Sequence, residues 1–159
     1  MKLYLVRHGR STGNLPGRMT GWSDHPLTPL GIAQARRVAA RLAPLGPMPV
    51  YTSDLPRALQ TARLIAAAAA AAVDVRVDRR LREIGLGDYE GRSWAEFVAD
   101  AELADAFARE PLLTTLPGGE SLAALRARVI AAFDEIVRSD HQAAVKGDFG
   151  CDHERTRRA

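Results

Sequence analysis

The tripeptide Arg7-His8-Gly9 directly follows an apolar run, Leu3-Tyr4-Leu5-Val6, and so places a guanidinium, an imidazole and a flexible backbone together. These groups suit phosphoryl transfer. That reaction needs a neutral nitrogen aimed at phosphorus, cations on the phosphoryl oxygens, and an acid that protonates the departing oxygen. His8 supplies the nitrogen. Arg7 offers a planar fork matched to phosphoryl oxygens, and Gly9 lets the backbone approach a phosphate closely and turn away. Side chains at the carboxyl edge of a parallel sheet converge on a ligand crevice, which is where a strand over residues 3–6 would deliver this tripeptide. Taken alone, the tripeptide is equally well explained as a histidine and an arginine that merely end a strand.

The elements that must hold these residues follow from pattern. Leu3 to Val6 lacks polar alternation, as a strand buried on both faces does. Gly9 to Pro29 is rich in Gly, Pro, Asn, Asp, Ser and Thr, the composition of a long functional loop. Thr28 caps a helix with Pro29 at its first position; Ile32, Ala35, Val38, Ala39 and Leu42 recur at helical spacing, and the helix should stop before Pro44. Pro49 to Thr52 reads as a second strand, followed by Ser53-Asp54 as a cap and a helix from Leu55 to Ala72 through an alanine run. Val73 to Val77 alternates as a third strand, Leu81 to Gly91 is a polar glycine-punctuated loop, and helices are expected over Trp94–Arg109 and Ser121–Arg138. This order argues for a three-layer α/β/α sandwich with a mainly parallel sheet.

Composition narrows the class. The 159 residues fit one domain, with 47% hydrophobic and 26% charged residues, a balance typical of a globular chain. The longest apolar run, Leu64 to Val73, is about half of the roughly 20 residues that span a bilayer. No membrane association is expected, and the start of the chain leaves no room for a signal peptide, so a cytoplasmic location is expected. A single cysteine, Cys151, excludes an intrachain disulfide. The net charge of +3 is small and the arginines are scattered, which argues against nucleic acid and for a small anionic ligand. No ligand-spaced His, Cys or carboxylate cluster is visible, so neither metal nor cofactor is expected.

Read with its sequel, Arg7-His8-Gly9-Arg10-Ser11-Thr12-Gly13-Asn14 resembles the opening motif of the histidine phosphatase superfamily, whose members include phosphoglycerate mutase-like enzymes. Further blocks agree: Thr20-Gly21-Trp22-Ser23-Asp24, Pro26-Leu27-Thr28, the stretch Thr52 to Ala62, and Leu81 to Gly91. The resemblance implies a phosphoglycerate mutase-like fold and turnover of a small phosphorylated metabolite through a phosphohistidine on His8. It also implies that Arg57 is the second phosphate-binding arginine beside Arg7, and that Glu83 is the proton donor. It extends the phosphate site to Gly9, Ser11, Asn14, Thr20 and Gly21, although Ser11, Asn14, Thr20 and Gly21 serve equally well as turn formers. Arg57 has a solvated surface charge as its alternative, and Glu83 an ion pair with Arg80 or Arg82. His25 reads as a loop residue.

The family's second histidine, in a His-Gly pair after another apolar strand, is expected just after residue 145. Ala143-Ala144-Val145 resembles the start of that strand, but Lys146-Gly147-Asp148-Phe149-Gly150 follows, and neither His141 nor His153 matches the motif. The expectation is an incomplete histidine phosphatase domain over 1–145, truncated or frameshifted after Val145, with a disordered tail over 146–159. In the family the missing strand lies between the strands that carry the nucleophile and Arg57. Exposed sheet edges and association with another copy are then expected. Pro117-Gly118-Gly119-Glu120-Ser121 resembles the α-ribazole phosphatase branch. The short segment between Gly91 and Pro117 favours a phosphatase over a phosphoglycerate mutase, with an inactive phosphoryl-ligand binder as the remaining reading.

Overall fold

The computed structural model describes residues 2–14 and 17–147, with side chains as far as Ser139. Helix α1 spans Pro29–Leu42, and Thr28 caps it as its type and position require: the Thr28 hydroxyl accepts the Gly31 amide at 3.1 Å. A short 3-10 turn, Ala43–Leu45, carries Pro44 and ends the run. Strand β1, Val50–Thr52, leads to helix α2, Pro56–Ala67, and then to strand β2, Val75–Val77. The two strands are parallel, with Val50 opposite Val75 and Thr52 opposite Val77. Helices α1 and α2 pack together, burying small residues: Gly31, Ala35 and Ala39 on α1, Thr61 and Ala62 on α2. The result is a mixed α/β fold around a parallel sheet.

Helix α2 stops short of the expected Ala72. The residues after Ala67 are mostly exposed alanines, which have no large apolar side chain to pack, and propensity alone does not hold a last turn. Its N-cap is Leu55, without a side-chain cap, in place of Ser53 or Asp54.

The expected helix over residues 94–109 is two, α3 (Trp94–Ala99) and α4 (Ala101–Arg109). Asp100 divides them. Its carboxylate accepts the Leu103 amide and the Tyr89 hydroxyl, the kind of local competition with the helix ladder that breaks it. Ser93 and Glu96 form a reciprocal capping box on α3. The main apolar cluster, Leu86, Tyr89, Phe97 and Leu116, lies between this pair and the loop that follows β2.

Helix α5 runs Leu122–Gly147, beyond the expected Arg138. It takes in Ala143 to Val145, which the sequence reading assigned to the start of a strand. No glycine or proline interrupts the sequence between Leu122 and Lys146, so nothing stops the helix earlier. Among the described residues, no helix is long and apolar enough to cross a membrane. The expected tail from residue 148 on lies outside the described residues.

The largest departure is at the start. Leu3 to Val6 is not a buried strand: it pairs with no neighbour among the described residues, and Leu5 is 83% exposed. A cleft of about 600 Å³ separates residues 2–8 from β1, with Phe133 and Ile136 of α5 also on its wall. An apolar run is buried on both faces only where the sheet supplies strands beside it and helices across it. Here the cleft occupies the place of that neighbour.

Candidate active site

The nucleophile candidate is tied to the helices just past the unpaired run. The Gly9 amide donates to Thr61 Oγ1 at 3.2 Å, and that hydroxyl donates in turn to the Arg57 carbonyl at 2.8 Å. A single threonine thus joins the Arg7-His8-Gly9 turn to the first turn of α2. Arg10 is held by α1, its amide donating to Gln34 Oε1 at 2.9 Å and its carbonyl accepting from the Thr28 amide and hydroxyl. The contact demands glycine: a Cβ on Gly9 would lie 2.3 Å from the Gly31 carbonyl oxygen.

His8 is half-buried, and its Nδ1 lies 2.7 Å from the Gly9 carbonyl oxygen. A carbonyl only accepts, so Nδ1 carries the proton and Nε2 keeps its lone pair. Burial holds the His8 pKa below the usual imidazole value; the Gly9 carbonyl opposes this, and the positive Arg57 and Arg7 reinforce it against Glu83. The neutral imidazole is the form a nucleophile needs.

Arg57 stands in the first turn of α2, 3% exposed, with its charge opposed to the helix dipole. It is not a solvated surface residue. Nη2 donates to the Gly21 carbonyl at 2.6 Å and Nη1 to the Ser23 carbonyl at 3.1 Å, so the loop over residues 21–23 aims the guanidinium. That loop is itself organised by Glu90. One Glu90 oxygen accepts the Gly21 amide at 2.9 Å, the Ser23 amide at 3.3 Å and the Ser23 hydroxyl; the other accepts the amides of Trp22 at 2.6 Å and Leu86 at 3.3 Å. Burial pushes the Glu90 carboxyl up, but these donors outweigh it and hold its pKa below the usual range.

Glu83 follows a 3-10 turn, Arg79–Leu81, that is pinned from several sides. Arg128 of α5 donates to the carbonyls of Arg80 and Arg82 at 2.7 Å and of Glu83 at 2.8 Å, and the Trp22 indole donates to the Glu83 carbonyl at 2.7 Å. Glu120 pairs with Arg128 and accepts the Gly85 amide at 2.9 Å, which extends the same clamp past Glu83. The two arginines nearest Glu83 in sequence go elsewhere. Arg80 pairs with Asp78 and Glu135, and Arg82 forks onto Asp54 with both contacts at 2.5 Å. The Glu83 side chain is left on the cleft wall, where Arg7, His8, Arg57 and Arg82 also stand.

The remaining candidates divide. Gly21 does its work through the backbone, donating to Glu90 and accepting from Arg57; a Cβ there would lie 2.1 Å from the Ile84 carbonyl. Ser11 is buried, and its amide and hydroxyl both donate to Asn14 Oδ1, at 2.8 and 3.1 Å, so these two residues close a turn on each other. Neither lies on the cleft wall, and nor does Thr20. His25 packs its ring over Gly13 in the loop. Sequence reading had passed over Glu90, Arg128 and Thr61 as site-shaping residues. Neither Glu90 nor Arg128 carried a readable signal, since each binds backbone groups far from it in sequence.

An imidazole with a free Nε2, two guanidinium groups and a carboxyl stand on one cleft at the carboxyl end of β1, in an α/β fold, an arrangement whose chemistry suits a phosphoryl group. The chain belongs to the histidine phosphatase superfamily (branch 1), whose family model matches residues 3–146. It is 39% identical over 142 residues to the probable phosphoglycerate mutase GpmB of Enterobacter sp. (strain 638), covering 87% of this chain and 64% of that protein. Among solved structures it resembles a mycobacterial glucosyl-3-phosphoglycerate phosphatase in complex with inorganic phosphate, at 38% identity and a TM-score of 0.70, covering 85% of this chain and 62% of the other. It also resembles a putative α-ribazole-5'-P phosphatase from Escherichia coli K-12, at 28% identity and a TM-score of 0.77, covering 86% of this chain and 66% of that one. The chain therefore spans a little under two thirds of the length of the curated relatives it matches.

Proposed function

We propose that this chain is a phosphomonoesterase that works through a phosphohistidine on a small phosphorylated metabolite. The observation that carries this reading is His8 Nε2, left with its lone pair by the Nδ1 contact to Gly9, on the same cleft wall as Arg7, Arg57 and Glu83. His8 Nε2 attacks phosphorus while Arg7 and Arg57 hold the phosphoryl oxygens. The bond to the leaving oxygen breaks, and Glu83 gives that oxygen its proton. A water then attacks the phosphohistidine, with the ionised Glu83 taking the water's proton, and phosphate leaves His8 in its starting state. Each step uses groups at the cleft, and no metal is called on.

A relative that holds inorganic phosphate supports this substrate class, as do relatives named for glucosyl-3-phosphoglycerate and α-ribazole-5'-P. A cytoplasmic setting fits such metabolites. The second histidine that the family resemblance implies has no match by motif in this sequence. Turnover is therefore expected to be slow, since losing one cationic contributor to a water-excluded site costs on the order of a hundredfold.

The test is release of phosphate from p-nitrophenyl phosphate by the wild-type chain beside His8→Ala, with acid-labile phosphoenzyme trapped in parallel. Release and trapping in the wild type alone are expected. Equal release by both proteins would refute the reading. Interconversion of phosphoglycerates faster than phosphate release would replace the phosphatase with a mutase.

A further inference from the structure

The geometry points to Glu90 as a positioning residue that sets Arg57 for phosphate through the loop over residues 21–23, an inference that rests on the phosphohistidine reading. The chain of contacts is continuous. Glu90 accepts the amides of Gly21, Trp22 and Ser23, and the Gly21 and Ser23 carbonyls on that loop are the acceptors of the two Arg57 Nη groups. The Trp22 amide and the Gly21 carbonyl belong to one peptide, so rotating it to release Glu90 would carry that carbonyl away from Arg57.

Three further facts separate this from ordinary loop packing. Glu90 lies outside the cleft wall and hydrogen bonds to no residue on it, so apart from its charge, which Arg57 feels, it acts on the site through the loop. The carboxylate also takes the Leu86 amide, which ties the same group to the loop that carries Glu83. Finally, Arg57 is buried and forms no ion pair among the described residues; its hydrogen-bond partners are carbonyls, which orient the cation, while Glu83, Glu90 and Asp24 act on it without contact. A phosphoryl group would then meet a guanidinium with no carboxylate in contact with it. A carboxylate held one layer back, on the far side of that loop, accomplishes this where a directly paired one would compete with phosphate.

The experiment is a double-mutant cycle on the binding of inorganic orthophosphate, measured by calorimetry for wild type, Glu90→Gln, Arg57→Ala and the double variant. Glutamine keeps the shape but puts a donor where an acceptor is needed. Glu90→Gln is expected to weaken orthophosphate about tenfold in the wild-type background and less than about twofold in Arg57→Ala, the pattern of a residue acting through Arg57. Equal losses in both backgrounds would overturn the proposal.

A second measurement does not depend on binding. The Arg57 Nη signals, assigned by their loss in Arg57→Lys, should be slowed by hindered rotation in the wild type and averaged in Glu90→Gln. Unchanged signals would overturn the proposal. Wild-type chain that fails to bind orthophosphate while its Arg57 signals still depend on Glu90 would count against the phosphohistidine reading and leave the hold of Glu90 on Arg57 supported. Should Glu90→Gln fail to fold, Ser23→Ala removes one donor to the same carboxylate, and a smaller shift in the same direction is expected.

Discussion

Replacing Arg128 with alanine removes the cation that fastens α5 to the loop bearing Glu83. The guanidinium donates to three loop carbonyls at 2.7–2.8 Å and to Glu120, and both charged side chains are largely covered, at 18% and 15% exposure. Breaking a buried pair from one side costs about 3–5 kcal/mol. Residual water at both groups, together with the side-chain entropy returned by the freed segment, lowers this to about 2–3 kcal/mol. Glu120→Ala should cost less, about 1–2 kcal/mol, because Arg128 keeps its three carbonyl acceptors. The double variant should cost no more than Arg128→Ala alone, about 2–3 kcal/mol, since neither charge is then left without the other. Urea unfolding followed by circular dichroism reads these losses as shifts in midpoint at constant slope. An Arg128→Ala chain within about 0.5 kcal/mol of wild type, or a strictly additive double variant, would refute the reasoning.

The acid limb of kcat/KM should lie on the acidic side of pH 6.5, because burial and the nearby Arg57 and Arg7 favour neutral His8; Arg57→Ala should move the His8 titration upward when its ring protons are followed by NMR. Gly9→Ala should lose orthophosphate binding and stability together, as the new methyl meets the Gly31 backbone at 2.3 Å and neither chain segment can yield alone. Asp54→Asn should cost about 1 kcal/mol at neutral pH through the lost fork with Arg82. The hydrogen bond from Arg82 holds the Asp54 pKa below 3.8, so this stabilisation is present above that value and is lost as pH falls through the lower folded one. Acid unfolding curves of the two chains should therefore converge at low pH.

The residues on the cleft were legible because their chemistry is local: Arg7, His8 and Gly9 are contiguous, and Arg57 opens a helix whose start the sequence marks with Pro56. Thr28 and Pro29 announced α1 in the same way. Burial was not legible. Leu3 to Val6 has the composition of a covered strand, but covering depends on partners elsewhere, and the run stands open to the cleft. Likewise Ala143 to Val145 suits either a strand or a helix, and the uninterrupted sequence before it decided for α5. Glu90 and Arg128 escaped notice because their effect passes through backbone amides and carbonyls, which every residue possesses and no sequence displays.

The unpaired run over residues 2–7 bears on how this protein would fail when warmed. Among the described residues, none of its backbone groups is hydrogen bonded, so the first anchors are those at Gly9 and Arg10. His8 thus follows directly on a stretch whose backbone has no hydrogen bonds among the described residues, where local opening needs far less energy than global unfolding. Heat should displace His8 before it melts the helices. Inactivation would then precede the circular dichroism transition, and the amides of residues 2–8 would exchange with deuterium well ahead of those in α1 and α2.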